Sequence, residues 1–111
     1  MTRLHEVADL LLELERELRA LDLWESERPT PAQLASQLPF AIDTLTFPQW
    51  LQFIFIERMG LIVSQGSPLP KVSGIKPIAE EYFKQAGLPG DQVILLLERF
   101  DLLVGVDPKG L

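Results

Sequence analysis

The chain has 111 residues, 47% hydrophobic and 23% charged, a composition that excludes intrinsic disorder and suits one globular domain. It holds no cysteine, so disulfides, thiolate metal centres and cysteine nucleophiles are excluded. Sixteen acids against ten bases give a net charge of −6 and a pI near 4.7, which opposes non-specific nucleic-acid binding, because that depends on Lys and Arg neutralising phosphates.

The first predicted element is a helix over 3–22. Leu4, Val7, Leu11, Leu14, Leu18 and Leu21 recur at alternating spacings of three and four, with Ala8 and Leu10 widening the stripe. Glu15 and Arg19 form an i,i+4 pair outside it, and Leu12 falls off it toward solvent. Such a stripe serves a coiled-coil seam or a bundle core. Three heptads are short for a coiled coil, so the first helix of an antiparallel bundle is expected. Glu6 and Asp9 stand where the apolar stretch of a secretory signal would fall, so cytoplasmic residence is the expectation.

A short helix is predicted over 31–38: Thr30 caps it, Pro31 occupies its first turn, Gln33 completes a capping box, and Pro39 stops it. "AIDTL" then connects to "TFPQWLQFIFIERMGLIV", where Thr46 and Gln49 repeat the capping box and Leu45 with Trp50 makes a hydrophobic staple. The helix is predicted over 47–63. It is too short and too often interrupted by Gln49, Gln52, Glu57 and Arg58 to span a bilayer of ~20 apolar residues, so no membrane role is expected. Leu51, Phe55 and Ile62 give it one apolar face, and Trp50, Ile54 and Leu61 another, which places it in the middle of a bundle. After the breaker-rich loop "SQGSPLPKVSG", helices are predicted over 76–86, with Ile78, Ala79, Tyr82 and Phe83 inward, and over 90–104, with Val93, Leu96, Leu97 and Phe100 inward. The fold class is all-α: four main helices in a bundle plus one short helix.

Little in the chain suggests catalysis. His5 is the single histidine, so no serine has an evident base and no Glu-x-x-His metal pattern exists. Glu13 with Glu17 and Glu98 with Asp101 share helix faces, where solvated carboxylates are the ordinary case. Neither a Walker lysine motif nor GxGxxG is present. No cofactor and no metal are expected, and the chain reads as a non-enzyme. Charge is unevenly spread: residues 29–56 hold only Asp43. That middle third is either core or a surface that grips a partner. The candidate interaction surface is Leu38–Phe47, including Phe40, with Trp50, joined by the loop from Leu69 to Lys71. Arg58, beside Glu57 in an otherwise apolar helix, is the candidate contact for a partner or ligand.

"FPQWLQFIFIERM", the following "PLP" and "IKPIAEEYF" resemble the YqcC-like family of small bacterial proteins, and the likeness extends over nearly the whole chain. The family pattern has Pro where Glu57 stands, while Arg58 and Met59 keep their places. The resemblance implies a small closed helical bundle. It also implies, through gene neighbourhood, a link to a tRNA pseudouridine synthase, and it defines no catalytic residue. The expectation is therefore a cytoplasmic accessory protein that binds a protein partner, such as that synthase, or a second copy of itself. The alternative is a small-molecule binder with an apolar pocket near Arg58.

Overall fold

The computed structural model describes residues 3–71 and 73–105; the tail read over 106–111 lies outside them. Every regular element among the described residues is helical: α1 (Arg3–Ala20), α2 (Pro31–Leu34), α3 (Phe47–Trp50), α4 (Ile56–Gln65), α5 (Lys76–Ala86) and α6 (Asp91–Gly105). A π turn, Leu51–Phe55, joins α3 and α4 into one rod over 47–65, and a short 3-10 turn spans Pro39–Ala41. With that rod counted once, the four main helices are the expected all-α bundle.

The leucine stripe of α1 is buried within the chain. Val7, Leu10, Leu11, Leu14 and Leu18 pack against α4 and α6, so the stripe is a bundle core and not a free dimer seam. Each such side chain removed from water contributes on the order of 2 kcal/mol before entropy is counted. Leu4 and Leu21 are half-buried at its ends, and Leu12 is 69% exposed.

Helix α1 stops two residues earlier than predicted, in a Schellman turn. The Leu23 N–H donates to the Leu18 carbonyl at 2.9 Å and the Asp22 N–H to Arg19 at 3.0 Å, with Asp22 in the left-handed region at φ 63°. Glycine holds that conformation without the Cβ clash. Asp22→Gly is expected to stabilise the fold by about 0.5–1 kcal/mol, read as a higher urea midpoint at unchanged slope; a lower midpoint would overturn the assignment.

Both capping boxes form as the sequence predicts. The Thr30 and Thr46 hydroxyls accept from the Gln33 and Gln49 N–H groups, and each glutamine side chain reaches back to its cap. Helix α2, however, ends at Leu34 and not at residue 38. The Thr44 hydroxyl takes the Gln33 carbonyl at 2.7 Å, and Ser36 bonds Asp43 and the Leu38 N–H. These side-chain contacts replace the helical ladder before Pro39 is reached. At the other end, the rod runs to Gln65 because its stop is Gly66, left-handed at φ 66°.

The rod is not the centre of the bundle, as its apolar sequence suggests. Phe47, Leu51, Phe53 and Phe55 in its first half are buried, but Trp50, Ile54 and Ile62 are half-buried and Leu61 is 60% exposed. Helix α1 instead touches both α4 and α6, while α5 packs on α6. The α5–α6 corner is tight: a Cβ on Gly90 would lie 2.2 Å from Cγ of Phe83. Among the described residues no helix is long and apolar enough to cross a membrane.

Candidate functional site

The π turn buries Leu51, Gln52, Phe53 and Phe55 together, and this organises the loop that follows α1. Gln52 is the one buried polar side chain among the described residues. Its amide clamps one residue of that loop from both sides: Nε2 donates to the Glu25 carbonyl at 2.8 Å, and Oε1 accepts from the Glu25 N–H at 2.9 Å. A fully paired amide avoids the desolvation cost of an orphaned one. Arg28 then bonds Glu57 at 2.6 Å and lies 5.8 Å from the Phe53 ring centre. The hydrogen bond to Glu57, then its charge, raises the Arg28 pKa above the ordinary value. Glu57 thus belongs to a strap, while its neighbour Arg58 is exposed and lines a different feature, a cleft between the rod and the 70–75 segment.

A continuous run of rings crosses the molecule beside Arg58. Phe100 meets Phe55 edge-on at 4.8 Å, Phe55 meets Trp50 at 5.6 Å, Trp50 stacks on Phe47 at 6.1 Å, and Phe47 meets Tyr82 at 5.9 Å. Phe40 lies edge-on to Trp50 at 4.8 Å. Each well-placed ring pair adds about 0.5–1.5 kcal/mol beyond its burial.

Phe40 divides two clefts. The first, about 250 Å³, lies between the rod and the 70–75 segment, with Trp50, Ile54, Phe55, Met59, Ile75 and Phe100 inside it and Arg58 along its lining. The second, about 400 Å³, lies between the 40–47 segment and α5; Ile42, Phe47, Ile78 and Tyr82 form most of it, with Glu81 and Gln85 on the α5 side. The partition is set by unusual backbone: Phe40 and Ala41 are both left-handed, at φ 57° and 48°. Two consecutive non-glycine residues in that region cost roughly 1–3 kcal/mol each, and they persist only where the surroundings over-determine them. Here Pro39 precedes them, Ala41 is buried, and the Ser36–Asp43 and Thr44–Gln33 bonds close the segment from either side.

The residues proposed from sequence for an interaction surface are only partly brought together. Phe40, Trp50 and Arg58 line the first cleft. Leu38 is half exposed at the start of the segment. Phe47 is a buried core residue that also forms part of the floor of the second cleft. Leu69 is a half-buried strap on that core, and Lys71 is exposed; Pro70 is the residue of that loop that reaches a cleft. Ile42 falls within the Leu38–Phe47 segment proposed from sequence without being singled out there; it is 74% exposed at the mouth of the second cleft, where Ile78, predicted inward, is also exposed and Tyr82 lies half-buried against the core. Of the three apolar residues in "AIDTL", Ala41 and Leu45 are buried and Ile42 is not.

The paired carboxylates also have structural duties. Glu13 faces Arg16 and Arg99, and Glu98 holds Lys76 at 2.8 Å, raising its pKa through that hydrogen bond. Asp101 accepts from the N–H groups of Ile75 and Lys76 and from the Ser73 hydroxyl, capping α5. No group of three or more metal-ligating side chains occurs among the described residues.

The family described as DUF446, tRNA pseudouridine synthase C, matches residues 6–103. YqcC of Escherichia coli K12 is 31% identical over 107 residues, covering 96% of this chain and 98% of that one. The chain belongs to the YqcC-like family. The solution NMR structure of Escherichia coli YqcC superposes with a TM-score of 0.80 over 94% of this chain and 89% of that one, which places the bundle above in the same fold. An uncharacterized protein of Haemophilus influenzae is 37% identical over 75 residues, 68% of this chain and 71% of its own length. The tRNA pseudouridine synthase C of Pectobacterium carotovorum is 32% identical over 71 residues, which is 64% of this chain and 19% of the enzyme.

Proposed function

We propose that this chain is a non-enzymatic, cytoplasmic accessory protein that docks onto a tRNA pseudouridine synthase through the second cleft and exposed Ile42. The observation that carries the reading is the match within tRNA pseudouridine synthase C, where a YqcC-like segment occupies 19% of a longer chain. Two units joined in one polypeptide meet at millimolar effective concentration, so weak contacts suffice. As separate chains they need an interface of their own. The apolar cleft with Ile42 at its mouth has the character of such an interface, in which a few buried apolar anchors hold most of the energy. Charge supports the same reading: a net charge of −6 complements the basic surface that any tRNA-binding enzyme must carry. The non-enzymatic role rests on the sequence, which offers one histidine and no nucleophile–base pattern.

The test is sedimentation of this chain mixed with tRNA pseudouridine synthase C from the same source, at about 150 mM salt, where non-specific charge attraction is screened. A stoichiometric complex is expected. Ile42→Asp is expected to weaken it at least ~10-fold while leaving the fold unchanged, because Ile42 is exposed in the free chain. No complex, or one indifferent to Ile42→Asp, would overturn the reading. A dimer of this chain with no bound synthase would assign the cleft to a second copy instead.

A further inference from the structure

We infer that the first cleft is a binding site for a small apolar monocarboxylate, its anion held by Arg58 and its body seated on Trp50, Phe55 and Phe100. This site lies on the other side of Phe40 from the docking cleft and stands independently of the partner reading.

The geometry carries it in three steps. Size comes first. At about 250 Å³ the cleft falls just below the roughly 300–1,000 Å³ typical of drug-sized ligand pockets, so it suits a compact molecule. Its interior is aromatic and aliphatic, and its walls are preset. The strained Phe40–Ala41 backbone holds one side, and Asp101 ties down the 73–76 segment on the other. A preorganised pocket does not lose binding energy to ordering itself.

Charge comes second. Among the described residues Arg58 is the one charged residue of the lining. Arg16, Arg19, Arg28, Arg99 and Lys76 each have a carboxylate within 4.0 Å; among the described residues Arg3, Arg58, Lys71 and Lys84 have none, and of these four only Arg58 lines the cleft. A guanidinium beside an apolar cleft, with no carboxylate of the described residues on it, presents its fork of N–H donors to an anion seated there.

Selectivity comes third. Among the described residues no acidic side chain lines the cleft, and the Ser73 hydroxyl donates its hydrogen to Asp101. An ammonium group entering with the ligand would therefore find the neutral Ser73 oxygen as a side-chain acceptor but no counter-charge for its own, while Arg58 repels it. The site accepts a simple carboxylate and rejects the corresponding amino acid and the neutral amide.

The experiment is an amide-resolved NMR titration of the full chain at about 150 mM salt with 3-phenylpropanoate, octanoate, 3-phenylpropanamide and phenylalanine. Saturable shifts at Ile54, Arg58 and Gly74 are expected with at least one of the two acids. The amide and the amino acid should bind about tenfold more weakly than 3-phenylpropanoate, or worse. Arg58→Gln, an exposed change that leaves the core untouched, should bring the acid down to the affinity of the amide and leave the amide unchanged; Arg58→Lys should retain part of the preference. The inference is overturned if neither acid saturates by about 10 mM, or if acid and amide bind alike. It is equally overturned if Arg58→Gln leaves the acid's affinity intact, or if the shifts map to Ile42 and Tyr82.

Discussion

Phe100→Ala is expected to cost roughly 3–5 kcal/mol of folding stability, the largest loss at any single site considered. Phe100 is 1% exposed and is the largest of the fully buried side chains. It ends the run of rings, edge-on to Phe55, and it lies beneath the first cleft. Truncation therefore removes three contributions together: the transfer energy of the ring, the aromatic pair, and the packing of a wall that has an open cleft on its other side. Domains of this kind have about 5–15 kcal/mol in total, so the variant should be marginal, with a midpoint lower by on the order of 15 °C. Thermal and urea unfolding measure it. A loss under ~1.5 kcal/mol would mean that the ring is not part of the cooperative core. Phe100→Leu, which keeps most of the apolar volume, should lose less than half as much.

The features readable in the sequence are those determined by residues within a turn or two of one another. The T-x-x-Q boxes at Thr30 and Thr46 form as written, α5 spans the predicted residues, and the α1 stripe is buried at the expected positions. In each case propensity, cap and periodicity agree locally. The features that could not be read depend on contacts between distant residues. Gln52 looks like a polar interruption of an apolar helix, yet it is buried because its two partners come from Glu25, 27 residues away. The π turn has no local cue; it brings Gln52 and Phe53 into the core along with Leu51 and Phe55. The end of α2 is decided by Thr44 and Asp43, which lie beyond Pro39. The candidate site follows the same division. Arg58 and the apolar character around it could be singled out from composition. The partition by Phe40 could not, because left-handed backbone at Phe40 and Ala41 runs against the preference of both residue types.

Asp101→Ala is the second large effect expected, about 2–4 kcal/mol, and it tests how the cleft wall is held. One half-buried carboxylate on α6 satisfies three donors from a different part of the chain: the Ser73 hydroxyl, the Ile75 N–H at 3.1 Å and the Lys76 N–H at 2.9 Å. The two N–H groups stand at the start of α5, where a helix has no internal acceptors and where negative charge is favoured. The cap on α5 is thus borrowed from α6, since the residue before α5, Ile75, has no side chain able to do it. Removing the carboxylate leaves both N–H groups without a protein acceptor, which costs more than the net worth of the bonds themselves. Amide exchange at Ile75 and Lys76 should accelerate in proportion to the stability lost. Asp101→Asn, which keeps one acceptor oxygen, should recover part of it. Unchanged exchange at both amides in Asp101→Ala would show that the carboxylate does not hold the segment. The same variant separates two causes of weak ligand binding. Ser73, Gly74 and Ile75 line the cleft opposite the rod. Loosening them should weaken 3-phenylpropanoate and 3-phenylpropanamide together, because the shape of the pocket is lost for both. Arg58→Gln should weaken only the acid, because it removes charge and leaves the wall in place.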